Sequence, residues 1–499
     1  MQTVTREQAL AGTLALVNPA HPLQARPAPE ALVPAMPDAP GVLLARQAAV
    51  MLAALLDGIR AAGRIVPVSG WRSHAEQQAL YADSVRDNGL EFTQKYVALP
   101  GCSAGAATLA GPAVGTPARA EPETRISVQF VQSLRDFTAQ TGAEALAQGE
   151  NVCYSPVSLY IALALAGIGA AGETQEEMYR LLGAKDSQTL AADVQLLQRT
   201  LHQEEKRCSV YLANSLWMRE GVDFYDSFTQ RAAEQFYAEC YTLDFAAPDV
   251  GKTVGRWAHG HTGGLLQPEI VLKDNDIFVL LNTVFFQANW VDAFSASATE
   301  MADFTAQQGQ TLSCPFLHAV RSGKAVMAEG WNLASLPMEG GWQMFFLLPD
   351  EGESIDSLLA GPGLATLLNT DAAQYRQIEW SIPKFAVKGE IDLVPVLQRA
   401  GVERAFCADE ADFSNLCDVS QLPGGAAYLS EVRQGTAFSV DEEGAEAAAY
   451  TELVMRAGSA APPEGEPVVM ELNRPFLYGV WNSEGTVLFL GRCDAPETA

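Results

Sequence analysis

The chain has 499 residues, 48% of them apolar and 18% charged, which is more than one ordinary domain and enough to bury a large core, so a disordered or fibrous protein is excluded. Sixty Asp and Glu stand against 32 Lys and Arg, and the net charge of -28 argues against a nucleic-acid partner or a polybasic membrane attachment. Residues 1–102 carry eight basic and eight acidic side chains, which leaves 24 basic and 52 acidic from Ser103 onward and marks two segments of different role.

In chain order, the amino terminus has an early acidic residue and no sustained apolar run, so no cleavable signal is visible there. Residues 42–62 predict a helix, RIVPVSGW a short strand into a turn, and Ser73 with Glu76 a capping box that opens a second helix. From Gly101 to Glu121 small residues and prolines read as a linker. Gly101-Cys-Ser103-Ala-Gly105 has the spacing of a hydrolase nucleophile elbow, but Gly111-Pro112 and Thr116-Pro117 follow where that turn needs a helix, so it too reads as linker. Eight cysteines (102, 153, 208, 240, 314, 407, 417 and 493) contain no CxxC pair and read as free, mostly buried thiols.

The run IVPVSGWRSHAEQQALYADSVRDNGLEFTQKYVALPGCS, with LVNPAHPL ahead of it, resembles the first half of the zinc D-alanyl-D-alanine carboxypeptidases. The resemblance implies that the turn Ser69–Ser73 helps hold substrate, with Arg72 suited to a carboxylate. It also implies a second half with a His and an Asp seven apart and a Glu three positions before a His, the ligands through which zinc activates water. None of the six histidines (21, 74, 202, 259, 261, 318) has either partner, so residues 1–102 read as a partial module with no metal, no cofactor and no peptidase activity. Remnant zinc carboxypeptidase activity is the enzyme-class alternative.

Beyond the linker, 103–125, helical periodicity covers 126–147, 155–170, 173–183 and 187–203, and strand-like runs occur at 278–288, 343–349, 377–387, 436–441 and 485–491. Helices and strands come in runs, which predicts an α+β domain over 126–499. Residues 151–172 lack charge over a membrane-spanning length, but Ser155-Pro156 reads as a cap with a first-turn proline, so they predict a buried central helix and no membrane span.

In SVDEEGAEAAAYTELVMRAGSAAPPEGEP, Ser439 to Pro467, alternate residues from Ala445 to Ala457 form a row without charge, while Glu446, Tyr450, Glu452 and Arg456 lie on the other row. Period two predicts a strand, yet Gly458, Ser459 and Pro462-Pro463 predict an exposed loop. That contradiction resembles the reactive-centre loop of the serpins, the serine protease inhibitors. SPVSLYIALALAGIGAAGETQEEMYRLLG, WAHGHTGGLL, NTVFFQANWVDAF, PKFAVKGEIDLVPVLQRAGVERAF, ADFSN and MELNRPFLYGVWNSEGTVLFLGR are similar to motifs of that family in the family's order, over about 126–495 and in the bacterial type.

The resemblance implies a large central sheet, two smaller sheets, surrounding helices and an exposed loop that is bait for a protease. Cleavage lets the loop insert as a new central strand and drag the acyl-linked protease along, so the chain itself is not an enzyme and needs no cofactor. Glu442, Glu443, Gly444, Ala445, Ala447 and Ala449 match the inhibitory hinge, and Tyr450 departs from it by its size. A shutter is implied at Ser155, Ser158, Asn282 and Gln434, where the usual His is Gln434, and a breach at Trp290, with Gln287-Ala288 where Lys-Gly is usual. Family spacing from Glu442 puts the cut after Gly458, before Ser459; Ala457 suits the same shallow-pocketed enzymes, and Arg456 is the rival. The expected partner is an elastase-like or subtilisin-like protease, with a trypsin-like one as the alternative, acting on a monomer outside the cell or at its surface. A non-inhibitory carrier or chaperone is the other alternative.

Overall fold

Ser155 and Pro156 start a helix as their sequence predicts: the Ser155 side chain accepts the Ser158 amide at 3.3 Å, and proline in the first turn gives up no needed donor. Every residue of that helix except Ala162 is buried, which makes it core; among the described residues no helix is long and apolar enough to cross a membrane. The computed structural model describes residues 32–36, 39–45, 108–109, 117, 119–120 and 126–497, apart from 248–249, 263, 267, 269, 273–275, 423–426 and 446–465.

Six helices carry the argument: α1 (Val128–Leu146), α2 (Pro156–Gly169), α3 (Gly172–Leu182), α4 (Ser187–Leu201), α5 (Asp226–Phe236) and α6 (Val250–His261). The first four fall within two residues of their predicted bounds. In chain order the strands are β1 (Leu32–Met36), β2 (Ala39–Ala45), β3 (Thr108–Leu109), β4 (Asn151–Tyr154), β5 (Gln203–Glu205), β6 (Cys208–Arg219), β7 (Ala238–Leu243), β8 (Phe278–Asn289), β9 (Glu300–Thr305) and β10 (Thr311–Ala328). They continue with β11 (Trp331–Pro337), β12 (Gln343–Pro349), β13 (Gln374–Pro383), β14 (Phe385–Asp392), β15 (Arg433–Val440), β16 (Gly444–Ala445), β17 (Val468–Glu471), β18 (Phe476–Trp481) and β19 (Val487–Cys493).

One sheet runs β14-β15-β16-β8-β6-β7-β3, with β5 on β6. The other runs β17-β13-β10-β11-β12-β18-β19-β4, with β9 on β10. The 18-residue β10 pairs with β13 along most of its length and with β11 at its end, so the strands of the two smaller expected sheets form one ladder. The core lies between the two sheets and α1–α5, with Tyr154, Phe285, Trp290, Trp342, Trp380 and Tyr478 fully buried. On the outer face of β6 and β8, α6 packs Val254, Trp257 and Ala258 against Trp217 and Leu243, partly covering Val279 and Leu281.

Three expectations change. Residues 42–45 belong to β2, paired antiparallel with β1, where a helix over 42–62 was predicted; Pro37-Asp38 is a turn-forming pair ahead of them, and it outweighs the helical spacing. The strand predicted over 377–387 is two strands, because Lys384 separates β13 in one sheet from β14 in the other. Thr108–Leu109, inside the predicted linker, pairs with Tyr241–Thr242 as an edge strand. The other readings on residues 46–107, including Ser69–Ser73 and the Gly101–Gly105 spacing, lie outside the described residues.

Candidate functional site: a strand slot in the large sheet

At one end of the eight-stranded sheet the two residues of β16 stand between β15 and β8, with Ala445 opposite Val440 on one side and Ala288 on the other, and Gly444 opposite Asn289. Glycine is required there: a Cβ at position 444 would meet the Ala288 carbonyl oxygen at 2.2 Å. Ala445 is fully buried. Past it, among the described residues, β8 and β15 share no ladder, and a cleft of about 140 Å³ opens between Leu280 and Asn282 of β8, Gln434 of β15 with Val432 just ahead of that strand, and Ser158 and Leu163 of α2. Backbone donors and acceptors on two facing strand edges are a template for one more strand.

The hinge stem is latched at this end. The Trp290 indole donates to the Asp441 carbonyl at 3.0 Å, its amide donates to the Glu443 carbonyl at 2.8 Å, and the Phe294 amide donates to the Glu442 carbonyl at 2.8 Å. The Asp441 carboxylate accepts the amides of Glu443 and Gly444, at 2.8 and 3.1 Å. The Glu442 carboxylate holds the Lys384 ammonium at 2.7 Å and accepts from the Thr299 hydroxyl at 2.9 Å. Burial raises the Glu442 pKa, but the bonds from Lys384, its own amide and Thr299 together outweigh burial and hold the group below the ordinary value. Trp290 is thus both a fully buried core residue and a hydrogen-bonding one. Lys384, Thr299 and Asp441 went unread in the sequence; only Asp441 carries a local signal, an Asp two residues ahead of an amide it can cap.

Halfway down the slot, Gln434 of β15 accepts the Ser155 amide at 2.6 Å and donates to the Ser155 carbonyl at 3.0 Å. The Ser155 hydroxyl donates to the Leu488 carbonyl at 2.7 Å, Ser158 donates to Asn282, and Asn282 donates to Asn214. Ser155, Ser158, Asn282 and Gln434 are therefore one network linking α2, β8 and β15, and Asn214 of β6 extends it to Gln198. Gln434 cannot titrate, so these bonds carry no proton switch near neutral pH. Ala447, Ala449, Arg456, Ala457, Gly458 and Ser459 lie outside the described residues.

No group of three or more His, Cys, Asp or Glu among the described residues is placed to hold a metal ion. Seven cysteines are free thiols, six of them buried and Cys407 exposed; burial pushes the Cys153, Cys208 and Cys240 thiols up to about 12.

A family model for serpins, serine protease inhibitors, matches residues 132–496, and one for D-alanyl-D-alanine carboxypeptidases matches residues 41–141. The end of the second match runs into α1, where Phe130, Leu134 and Phe137 are buried in the core. An uncharacterized serpin-like protein of Thermococcus kodakarensis is 28% identical over 376 residues, 74% of this chain and 86% of that one. Serpin-Z2A of Triticum aestivum is 29% identical over 365 residues, 69% and 90% of the two chains. The native state of a thermophilic serpin, tengpin, has the same fold, with a TM-score of 0.67 at 24% identity over 76% of this chain and 97% of that one. With a family model spanning most of its length and a large sheet of this architecture, the chain belongs to the serpin family.

Proposed function

We propose that the protein inhibits a serine endopeptidase as a suicide substrate: cleavage in the segment 446–465 lets its amino-terminal side fill the slot and trap the acyl-linked protease. The observation that carries this reading is β16, a strand already seeded between β15 and β8 by the hinge. Continuing its register without a bulge sets Ala447 between Phe286 and Phe438, Ala449 between Val284 and Thr436, Thr451 between Asn282 and Gln434, and Leu453 between Leu280 and Val432. Small residues meet the two rings, and the one polar residue of that row meets the polar pair of the shutter. Each ladder bond gained stabilises by roughly 0.5–1.5 kcal/mol, and burial of the apolar row adds to it.

Incubation with elastase-like, subtilisin-like and, for the Arg456 alternative, trypsin-like proteases is expected to give with one of them a covalent complex that survives SDS. Cleavage by every such protease with full retention of its activity would overturn the proposal. In the trapped complex, a released peptide starting at Ser459 is expected; one starting at Ala457 would assign the cut to Arg456 and a trypsin-like target. Such a target places the inhibitor outside the cell or at its surface. Residues 1–102 are proposed as a partial carboxypeptidase-like module without activity, and metal analysis should find no stoichiometric zinc, whereas one zinc per chain would reverse that part.

A further inference from the structure

The outer face of β15 has no part in the shutter, yet it carries two features that the core does not explain. Arg433 is more than half exposed; its Nη1 donates to Glu390 at 3.1 Å, its Nε pairs with Glu431 at 2.5 Å, and its Nη2 has no partner among the described residues. Two positions on, Gly435 is exposed, and a Cβ built there would have only Leu266 near it, at 3.9 Å. Its φ is not left-handed, so the backbone does not require glycine.

The register fixed by Ala445 opposite Val440 sets loop residue 450 opposite residue 435 and loop residue 452 opposite residue 433. Those loop residues are Tyr450, the bulky departure from an otherwise small hinge, and Glu452, an acid. Directly opposed side chains in an antiparallel pair approach within about 5 Å at Cβ. A tyrosine beside a glycine covers the bare strand, and a carboxylate beside a guanidinium with an open donor pairs with it. The match is register-specific: a slip of two residues one way brings Glu452 against Glu431, and the other way drives Tyr450 against Phe285 of β8. A slip of one residue would turn the charged row into the core.

We infer that Gly435 and Arg433 are a reading frame for the inserting loop, receiving Tyr450 and Glu452 and so fixing the register in which the strand enters. The inference rests on the insertion reading above. These are positioning residues: they touch neither the scissile bond nor the protease, and they act on where the strand stops.

Two exchange cycles test it by calorimetry at low ionic strength, where charge pairs are least screened. The readout is the rise in Tm when the loop is cut by a protease acting within 456–465, so that Tyr450 and Glu452 stay on the inserting side. R433E is expected to cut that rise by about 2–4 °C, and R433E/E452R to restore it in the cleaved protein while leaving the intact Tm of R433E unchanged. G435V is expected to reduce the rise, and G435V/Y450A to recover it. The intact Tm of each variant shows that it folds, and the two cycles are independent of each other. A full rise in R433E and G435V, or double variants that recover nothing, would overturn the reading frame while insertion stands. No rise in the unaltered protein would overturn insertion and the reading frame together.

Discussion

Replacing Glu442 by Lys would set a second ammonium where Lys384 now meets a carboxylate at 2.7 Å, leaving a half-buried cation without its partner at the end of the slot. The intact fold is expected to lose about 1–3 kcal/mol, read as a lower denaturant midpoint, with a smaller loss for Glu442→Gln. The sign of the pH dependence follows from the same bonds. The folded-state pKa of Glu442 lies below its ordinary value of 4.5, so its contribution is fully present above about that pH and is lost as pH falls through the depressed folded value. Glu442→Gln should remove that part of the acid sensitivity; an unchanged acid-unfolding profile would show that the latch contributes nothing. At Ala445, fully buried between two strands, Arg would have to carry its charge into the sheet. Ala445→Arg is expected to turn inhibitor into substrate, with the protease released active after cutting; complex formation at the unaltered stoichiometry would contradict this.

Gly444→Val acts on an element rather than a contact. Its Cβ would run into the Ala288 carbonyl oxygen and the Asn289 Cα, both backbone atoms of β8 that cannot swing away, so β16 should fail to seed and fewer cleavage events should end in trapping. An unimpaired inhibitor would show that seeding is dispensable. How far such elements could be read from sequence followed their physics. The helix from Ser155, the strand at 278–289 and the small-residue row starting at Ala445 carry strong local signals: a cap with a first-turn proline, an apolar run, and period two. The β2 strand, the break at Lys384 and the edge strand at Thr108–Leu109 depend on pairing with distant chain, which no window of sequence contains. The same holds in the site. Ser155, Ser158, Asn282 and Gln434 are legible in sequence only through family resemblance, whereas the ion pair of Lys384 with Glu442, 58 residues apart, and the Asn214 link exist only once the strands are side by side.

Across the molecule, β8 and β15 face each other over a cleft without a shared ladder among the described residues, held at one end by the Trp290 and Glu442 latch and braced halfway by the Ser155–Gln434 bonds. Under the proposed inhibition, a structure of that kind would act through a difference between two folded states. The described core begins at Ile126, and β3 ties Thr108–Leu109 to the sheet edge, so limited proteolysis is expected to remove the chain ahead of residue 108 and leave the rest melting as before. A large loss of stability on that cut would assign the amino-terminal segment a structural role in the serpin fold. Amide hydrogen exchange on the intact and loop-cleaved protein shows whether the chain's own cleaved loop fills the slot between β8 and β15. Cleavage is expected to bring strong protection to residues 446–455 together with the facing amides of β8 and β15; unchanged exchange along both edges after complete cleavage would rule insertion out.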